Sequence, residues 1–221
     1  MPKSKAIFIT ATDTAAGKTV AAFVVGVLLE NQGLDVGVMK PVQCAGGDAR
    51  FLKKALRLQD ELRVINPFYA PEPLSPHLAF RRAKIKFDKR RVQDELEKLR
   101  TRHDIVLVEG AGGLMVPLTN SYYNTDLIAD LKARVIIVAR PGLGTINHTL
   151  LTINEAKKRG LMIMGIIFCQ TKPVRRGLPE NTNPREIEKL SGVKVLGIIP
   201  YLKPLNKKNI LCRCQNLKLN V

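Results

Sequence analysis

The chain has 221 residues, 45% of them hydrophobic, which is enough for the core of one large α/β domain spanning residues 1–221. Its 36 Lys and Arg against 19 Asp and Glu give a formal net charge of +17, which favours contact with anions without selecting nucleotides, nucleic acids or acidic membranes. No apolar run approaches the ~20 residues of a membrane span, so we predict a cytoplasmic protein without membrane contacts.

Six nearly continuous apolar runs predict the strands of the core. In chain order they are AIFIT, DVGVMK, DIVLVEG, RVIIVA, MIMGIIF and VKVLGII. Strands that are buried on both faces of a parallel sheet have this pattern. Because helical segments lie between the runs, the sequence predicts a three-layer α/β fold with a mostly parallel central sheet flanked by helices.

The helical patterns between these runs are TVAAFVVGVLLENQG, ARFLKKAL, FDKRRVQDELEKLRTR and INHTLLTINEAKKRG. Several of them end in glycine or basic residues, as helix C-termini commonly do. Two proline-rich stretches, INPFYAPEPLSPHLAF and QTKPVRRGLPENTNP, predict long loops. The basic segment from about residue 203 predicts a loosely held tail.

Cysteine usage predicts neither a zinc site nor a disulfide framework. The cysteines are Cys44, Cys169, Cys212 and Cys214. They lack the partners that would close a tetrahedral zinc site, and only the last two are close in sequence. We therefore expect free thiols in a reducing compartment.

The first strand leads into a loop of small residues that ends in Gly17-Lys18-Thr19, directly before a helix. Such a loop directs backbone N–H groups and the positive helix end at one point, where a phosphate chain fits. The usual G-x-x-x-x-G-K-[ST] spacing would put its first glycine at Thr12, so an ordinary turn with a chance GKT is the alternative. Lys18 suits the β- and γ-phosphates and Thr19 suits Mg²⁺. The pattern predicts a P-loop NTPase-like fold that binds a nucleoside triphosphate.

Further chemistry-bearing residues follow the other predicted strands. In open α/β sheets, ligands bind beyond the carboxyl ends of the strands. Lys40 ends the second strand, and Asp48 opens the next helix, where an N-cap is the alternative. Glu109 ends the third strand, where a buried carboxylate requires a cation such as Mg²⁺. Gly144 and Asn147 open a helix after the fourth strand, a second anion-accepting terminus.

These residues form one predicted site when the strand ends are brought to the same edge of the sheet. Thr19, Asp48 and Glu109 would surround Mg²⁺. Lys18 and Lys40 would lie above the phosphates. Positive charge around a γ-phosphoryl group is what loose phosphoryl transfer requires.

The segments TDTAAGKT, KPVQCAGG, NPFYAPEPLSPH, VEGAGGLMVPL, GLGTINHTLLT and GIIPYL occur in this order along the chain. Over roughly residues 6 to 202 they resemble dethiobiotin synthetase, a family whose phosphate loop is one residue longer than the standard motif. The resemblance implies a homodimeric, ATP-dependent cyclo-ligase of biotin synthesis. It would close a ureido ring on 7,8-diaminononanoate with CO₂, ATP and Mg²⁺, through a carbamate and a carbamic-phosphoric anhydride.

The resemblance also implies a set of site residues. The catalytic residues would be Lys40, Lys18 and Thr14. The metal ligands would be Thr19, Asp48 and Glu109. The substrate-binding residues would be Thr14, Lys40, Cys44 and, from the other subunit, Gly144 and Asn147. The nucleotide-binding residues would be Ala15, Ala16, Gly17, Lys18, Thr19, Val20, Asp48, Glu109, Gly110, Ala111, Gly112, Cys169, Gln170, Pro200, Tyr201 and Leu202.

Several positions depart from the family pattern. Ala11 stands where the family often has glycine, and Cys44 replaces a common serine. Cys169 and Gln170 occupy the place of an asparagine that reads adenine, and Lys207 falls where an acidic residue helps to hold the nucleotide. The resemblance therefore predicts the phosphate chemistry but not the base preference.

Three other interpretations compete with this one. Amidoligases of cobyrinic acid synthesis share the loop and the VEGAGG-type block, but they usually carry a glutaminase domain for which we expect no room here. Min/Par-type ATPases need a signature lysine early in the loop, where Thr12, Asp13 and Thr14 stand instead. A nucleic-acid-binding module is supported only by the net charge, because no recognition motif is present, so we predict no nucleic-acid partner.

Overall fold

The fold is built on a six-stranded sheet, described by a computed structural model that covers residues 5–173 and 177–219. The strands are β1 (Lys5–Ala11), β2 (Val36–Met39), β3 (Val42–Cys44), β4 (Phe68–Ala70), β5 (Ile105–Gly113), β6 (Arg134–Ala139), β7 (Ile163–Cys169) and β8 (Val195–Ile199). The large sheet has the order β2-β5-β1-β6-β7-β8, with every neighbouring pair parallel. Each of the six apolar runs forms one of its strands, so that prediction is confirmed.

Helices flank this sheet on both faces. They are α1 (Lys18–Asn31), α2 (Asp48–Leu56), α3 (Leu62–Ile65), α4 (Pro76–Arg82), α5 (Lys89–Arg100), α6 (Asn124–Asp130), α7 (Thr145–Lys158), α8 (Leu178–Ser191) and α9 (Lys207–Arg213). The four predicted helical patterns correspond to α1, α2, α5 and α7. Among the residues that the structure describes, no helix combines the length and the apolar character that crossing a membrane requires.

The core lies on both faces of the sheet. In β1, the side chains of Ile7 and Ile9 pack with α1 on one face, and Phe8 packs into the core on the other. All three are 0% exposed, and each buried side chain of this size stabilises the fold by roughly 1.5–3 kcal/mol. Burial on both faces explains why these strands appear in the sequence as continuous apolar runs instead of alternating ones.

The prediction of two long loops was wrong for most of their length. The first stretch contains β4, which pairs with β3 in a separate two-stranded parallel sheet, and also α4. Pro76 opens α4 after Ser75, and proline is tolerated in a first turn because that N–H has no partner within the helix. In the second stretch, residues 174–176 lie outside the described residues, and α8 begins at Leu178 and continues through Pro184.

The segment predicted as a loosely held tail packs against the core as far as residue 219. Ile210 and Cys214 are 0% exposed, and Leu217 is 7% exposed. Lys207 Nζ pairs with Glu30 on α1 at 2.7 Å. Ile210 lies in α9, whereas Cys214 and Leu217 lie beyond its end. Basic and polar residues separate these buried positions, so the composition of the segment concealed them.

A polar cluster lies where β2 and β5 begin, at the edge of the sheet opposite their carboxyl ends. The ring of His103 packs over Gly37, where an added Cβ would lie 2.4 Å from a ring carbon. The two ring nitrogens of His103 lie 2.9 Å from Asp35 and 2.9 Å from Asp60. Arg102 Nη1 donates to the second oxygen of Asp60 at 3.0 Å. The cluster joins the starts of two neighbouring strands.

Replacing Asp60 with Asn is expected to remove a pH-dependent part of the stability. Burial acts to raise the pKa of Asp60, but hydrogen bonds from His103 and Arg102 outweigh it and lower the pKa. Such a carboxylate stabilises the fold above its unfolded pKa of about 4, and the contribution is lost as the pH falls through the folded-state value. Urea unfolding should show wild type more stable by about 1–3 kcal/mol at pH 7, and the gap should narrow at pH 3. An equal gap at both pH values would contradict this account.

Candidate active site

A cavity of about 650 Å³ opens at the edge of the sheet where β1, β2 and β5 end. It is lined by residues that follow β1 and β2, by residues near β4 and by the second half of β5, which continues past Glu109 to Gly113 instead of ending at Glu109 as predicted. The lining residues are Thr14, Ala15, Gly17, Lys18, Thr19, Val20, Lys40, Val42, Gln43, Cys44, Asp48, Pro73, Leu74, Ser75, Pro76, Glu109, Ala111, Gly112 and Val116. The carboxyl ends of parallel strands meet at this edge, which is where open α/β sheets bind ligands. The cavity brings together the predicted catalytic and metal-binding residues.

The phosphate loop takes the sharp path that its small residues allow. Ala15 and Gly17 adopt left-handed backbone conformations, with φ of 59° and 97°. Lys18 is the first residue of α1 and is only 8% exposed, with Nζ 3.4 Å from the carbonyl oxygen of Asp13. Burial and the nearby Lys40 ammonium lower the pKa of Lys18 to about 8. The loop therefore presents a cation and a helix N-terminus to the cavity.

Lys40 and Glu109 form a buried ion pair at the floor of the cavity. They are 3% and 1% exposed, and Lys40 Nζ lies 2.5 Å from Glu109 Oε1. The same ammonium lies 3.1 Å from Asp48 Oδ2 and 3.3 Å from the carbonyl oxygen of Gly110. Burial acts to lower the pKa of Lys40, but the two carboxylates outweigh it and raise the pKa. Lys40 therefore remains an ammonium group.

The side-chain oxygen atoms of Thr19, Asp48 and Glu109 lie at this ion pair and suit a hard divalent cation. Thr19 Oγ1 donates to Glu109 Oε1 at 2.9 Å, and Asp48 also lines the cavity. Glu109 Oε2 is buried and has no hydrogen-bond partner among the described residues. Mg²⁺ takes oxygen ligands and is usually bound by one or two carboxylates together with substrate phosphates. The donor set therefore fits Mg²⁺.

The glycine-rich end of β5 forms another wall. Ala111 and Gly112 line the cavity, and Gly112 has φ of 65°. A Cβ added at Gly112 would lie 3.8 Å from Thr14 Oγ1. Cys44 also lines the cavity and is half-buried, and burial raises the pKa of its thiol above the ordinary value. The thiol is therefore a neutral, weakly polar part of the wall near neutral pH.

Other residues assigned by resemblance do not line this cavity. They are Ala16, Gly110, Cys169, Gln170, Pro200, Tyr201, Leu202, Gly144 and Asn147. Cys169 is 0% exposed, and its sulfur lies 2.5 Å from where a Cβ on Gly17 would be. Gly144 is the left-handed N-cap of α7, the helix that carries Asn147. The nucleotide-base and substrate-carboxylate roles of these residues stay predictions.

The sequence reasoning missed several cavity residues. They are Val42, Gln43, Pro73, Leu74, Ser75, Pro76 and Val116. Most are apolar and carry no reactive group, although all stand inside or beside the motifs that carried the resemblance. Gln43 is buried, donates to the carbonyls of Ala45 and Gly46, and accepts from Ala49 N. It thereby holds the loop that leads to Asp48.

Solved structures match the fold over nearly the whole chain. The septum site-determining protein MinD from Pyrococcus horikoshii, complexed with Mg-ADP, aligns with a TM-score of 0.57 at 18% identity, over 89% of this chain and 81% of its own. A ParA family ATPase from Chlorobium tepidum aligns with a TM-score of 0.56 at 17% identity, over 97% and 95%. At such low identity these alignments concern the fold alone. They confirm the prediction of a P-loop NTPase-like fold.

Sequence relatives decide the family. A family described as an AAA domain matches residues 5–209. The ATP-dependent dethiobiotin synthetase BioD of Thermodesulfovibrio yellowstonii is 39% identical over 219 residues, 92% of this chain and 91% of that protein. The BioD of Nitrosopumilus maritimus is 37% identical over 214 residues, 93% of each chain. The chain belongs to the dethiobiotin synthetase family. This confirms the resemblance drawn from the sequence motifs.

The match to the AAA-domain family extends over the whole site. The matched residues 5–209 contain every site residue placed above and the first part of α9. The Min and Par proteins, weighed as alternatives from the sequence, are neighbours in fold at 16–18% identity. The chemistry to test in this cavity is therefore that of a dethiobiotin synthetase.

Proposed function

We propose that this chain is an ATP-dependent dethiobiotin synthetase that closes the ureido ring of dethiobiotin on 7,8-diaminononanoate with CO₂ and ATP. The observation that carries the proposal is the pair of buried lysines, Lys18 and Lys40, which line one cavity together with the phosphate loop. A carbamate and a γ-phosphoryl group are both anionic, and they can approach each other only where fixed positive charge offsets their repulsion.

The reaction needs positioning and electrostatics more than a protein base. One substrate amine adds to CO₂ and loses a proton to give a carbamate. A carbamate oxygen attacks the γ-phosphorus and ADP leaves, which gives the carbamic-phosphoric anhydride. The second amine then attacks the carbonyl carbon, loses a proton and expels phosphate as the ring closes. Lys18 and Lys40 stabilise the charge of the transferring group, and the Thr14 hydroxyl donates to the carbamate.

Thr19, Asp48 and Glu109 are the residues that would hold Mg²⁺. The unpartnered Glu109 Oε2 and the all-oxygen donor set support this assignment. When bound, Mg²⁺ would offset charge on the β- and γ-phosphates. Glu109 also holds Lys40 and Thr19 in place through its other oxygen.

The apolar part of the cavity suits the hydrocarbon chain of the diamine. Val42, Leu74 and Val116 line it together with two prolines. We also propose a homodimer in which the start of α7 from the other subunit binds the substrate carboxylate. Leu143 and Leu151, beside and within α7, are 94% and 61% exposed, and apolar surface of this kind marks interfaces.

Purified protein is expected to form dethiobiotin from the diamine, bicarbonate and Mg-ATP, releasing one phosphate per product. Phosphate release should depend on the diamine, because the carbamate is the phosphoryl acceptor. Reactions that lack one component serve as controls, and parallel assays with GTP and CTP measure the base preference. Phosphate release that is independent of the diamine, or no product at all, would reject the proposal.

A further inference from the structure

We propose that Asn66, Asn124 and Asn183 are positioning residues, each of which fixes a loop that carries part of the site. This inference rests on the proposed function. In each case the side-chain NH₂ group donates to two main-chain carbonyl oxygens. A carbonyl can only accept a hydrogen bond, so the contacts also fix which end of each carboxamide faces the loop. None of the three residues lines the cavity.

Asn124 holds the glycine-rich end of β5. It is 1% exposed, and its Nδ2 donates to the carbonyl of Ala111 at 2.7 Å and that of Gly113 at 2.8 Å. The C=O and N–H of a trans peptide point in opposite directions. An Ala111 carbonyl that faces Asn124 therefore directs the N–H of Gly112 away from it. Gly112 lies near Thr14 in the lining of the cavity. Asn124 therefore fixes the part of the cavity wall against which the carbamate would lie.

Asn66 holds the main chain of Lys40. Its Nδ2 donates to the Lys40 carbonyl at 2.6 Å and to the Phe68 carbonyl at 3.2 Å. The N–H of Lys40 donates to the carbonyl of Ile65 at 2.7 Å. Both main-chain polar groups of the lysine are thereby tied to the last residue of α3 and the residue that follows it. This fixes the point from which the Lys40 side chain reaches Glu109.

Asn183 holds the loop after β6. It is 8% exposed on α8, and its Nδ2 donates to the carbonyls of Pro141 at 3.0 Å and Gly142 at 3.2 Å. This loop leads directly to Gly144, the left-handed N-cap of α7. The start of α7 is the proposed contact for the substrate carboxylate, so Asn183 should affect binding of the diamine more than the chemical step.

The test measures steady-state kinetics and ATP affinity of three leucine variants, since leucine has a similar volume and no donor. For Asn66→Leu and Asn124→Leu we expect kcat to fall by at least about 30-fold while the Kd for ATP stays within about threefold. For Asn183→Leu we expect the KM for the diamine to rise at least about tenfold while kcat stays within about twofold. Loss of stability alone would not produce this split.

Alanine variants keep the test decisive if a leucine variant fails to fold. They leave room for a water that can bond to both carbonyls without holding them in place, so the same kinetic pattern is expected. Ser191→Ala is the matched control, because it removes two hydrogen bonds at the end of α8, shortly before the start of β8. It should lower the melting temperature and leave kcat and KM unchanged.

The outcomes separate the two proposals. Wild-type protein that turns over while all three alanine variants keep wild-type kinetics would overturn the positioning roles and leave the proposed function standing. In another outcome, kcat falls and KM rises in proportion to the loss in melting temperature, in the three asparagine variants and in Ser191→Ala alike. That outcome would assign the residues a structural role only. Wild-type protein without diamine-dependent turnover would overturn the proposed function, and the positioning roles with it.

Discussion

Replacing Lys40 with Ala is expected to lower kcat by at least about 10³-fold while the Kd for ATP stays within about tenfold. Lys40 lies beyond the phosphate loop, so we expect it to act on the transferring phosphoryl group and the carbamate more than on bound ATP. Single-turnover phosphate release and calorimetric titration with ATP measure the two effects separately. A variant with near-native kcat would exclude Lys40 from catalysis.

The same substitution also affects the fold, and this effect has its own control. Without Lys40, the carboxylate of Glu109, which is 1% exposed in the wild type, keeps the hydrogen bond from Thr19 but loses its ion-pair partner, and breaking a buried ion pair typically costs about 3–5 kcal/mol. Combining Lys40→Met with Glu109→Gln removes both charges and should regain most of that stability. It should not regain turnover, because it lacks both the Lys40 ammonium and the Glu109 carboxylate that we propose to hold Mg²⁺. Recovered turnover in the double variant would mean that the single variant lost activity only through misfolding.

The order of the strands explains why the sequence predicts the site of this ion pair but does not predict the contact itself. Lys40 and Glu109 are 69 residues apart in the chain. They meet because β2 lies beside β5 with Met39 opposite Val108. Lys40 and Glu109 are the residues that directly follow this pair. The apolar runs identify the strands, but the order β2-β5-β1 depends on the packing of the crossover helices. The sequence therefore predicts that Lys40 and Glu109 lie at the same edge of the sheet, but it does not predict that their strands are neighbours.

Other features escaped prediction because they depend on tertiary contacts. The short strands β3 and β4 have three residues each and are stabilised by pairing with each other. Pro184 lies inside α8 although proline is unfavourable in a helix interior. The tail is ordered by its contact with α1. In each case local preference is weaker than the packing that opposes it.

Replacing Gly17 with Ala is expected to weaken ATP binding by at least about 100-fold, because phosphate binding depends on the path of the loop backbone. Gly17 has φ of 97°, a conformation that costs an L-residue roughly 1–2 kcal/mol. The added Cβ would also lie 2.5 Å from Cys169 Sγ and 3.0 Å from Cys169 Cβ. Cys169 is held in β7 and 0% exposed, so the loop must move instead.

Cys169→Ala separates the two causes. Although the resemblance assigns Cys169 to the nucleotide-binding residues, its side chain is 0% exposed beneath the loop, so Cys169→Ala alone should leave the Kd for ATP near the wild-type value. Combined with Gly17→Ala, it removes the 2.5 Å contact but keeps the 3.0 Å contact and the strained φ, so affinity should recover only in part. Titration calorimetry with Mg-ATP measures all three variants. Native affinity in Gly17→Ala would mean that the backbone of this loop does not bind the phosphates, and the nucleotide site would have to lie elsewhere.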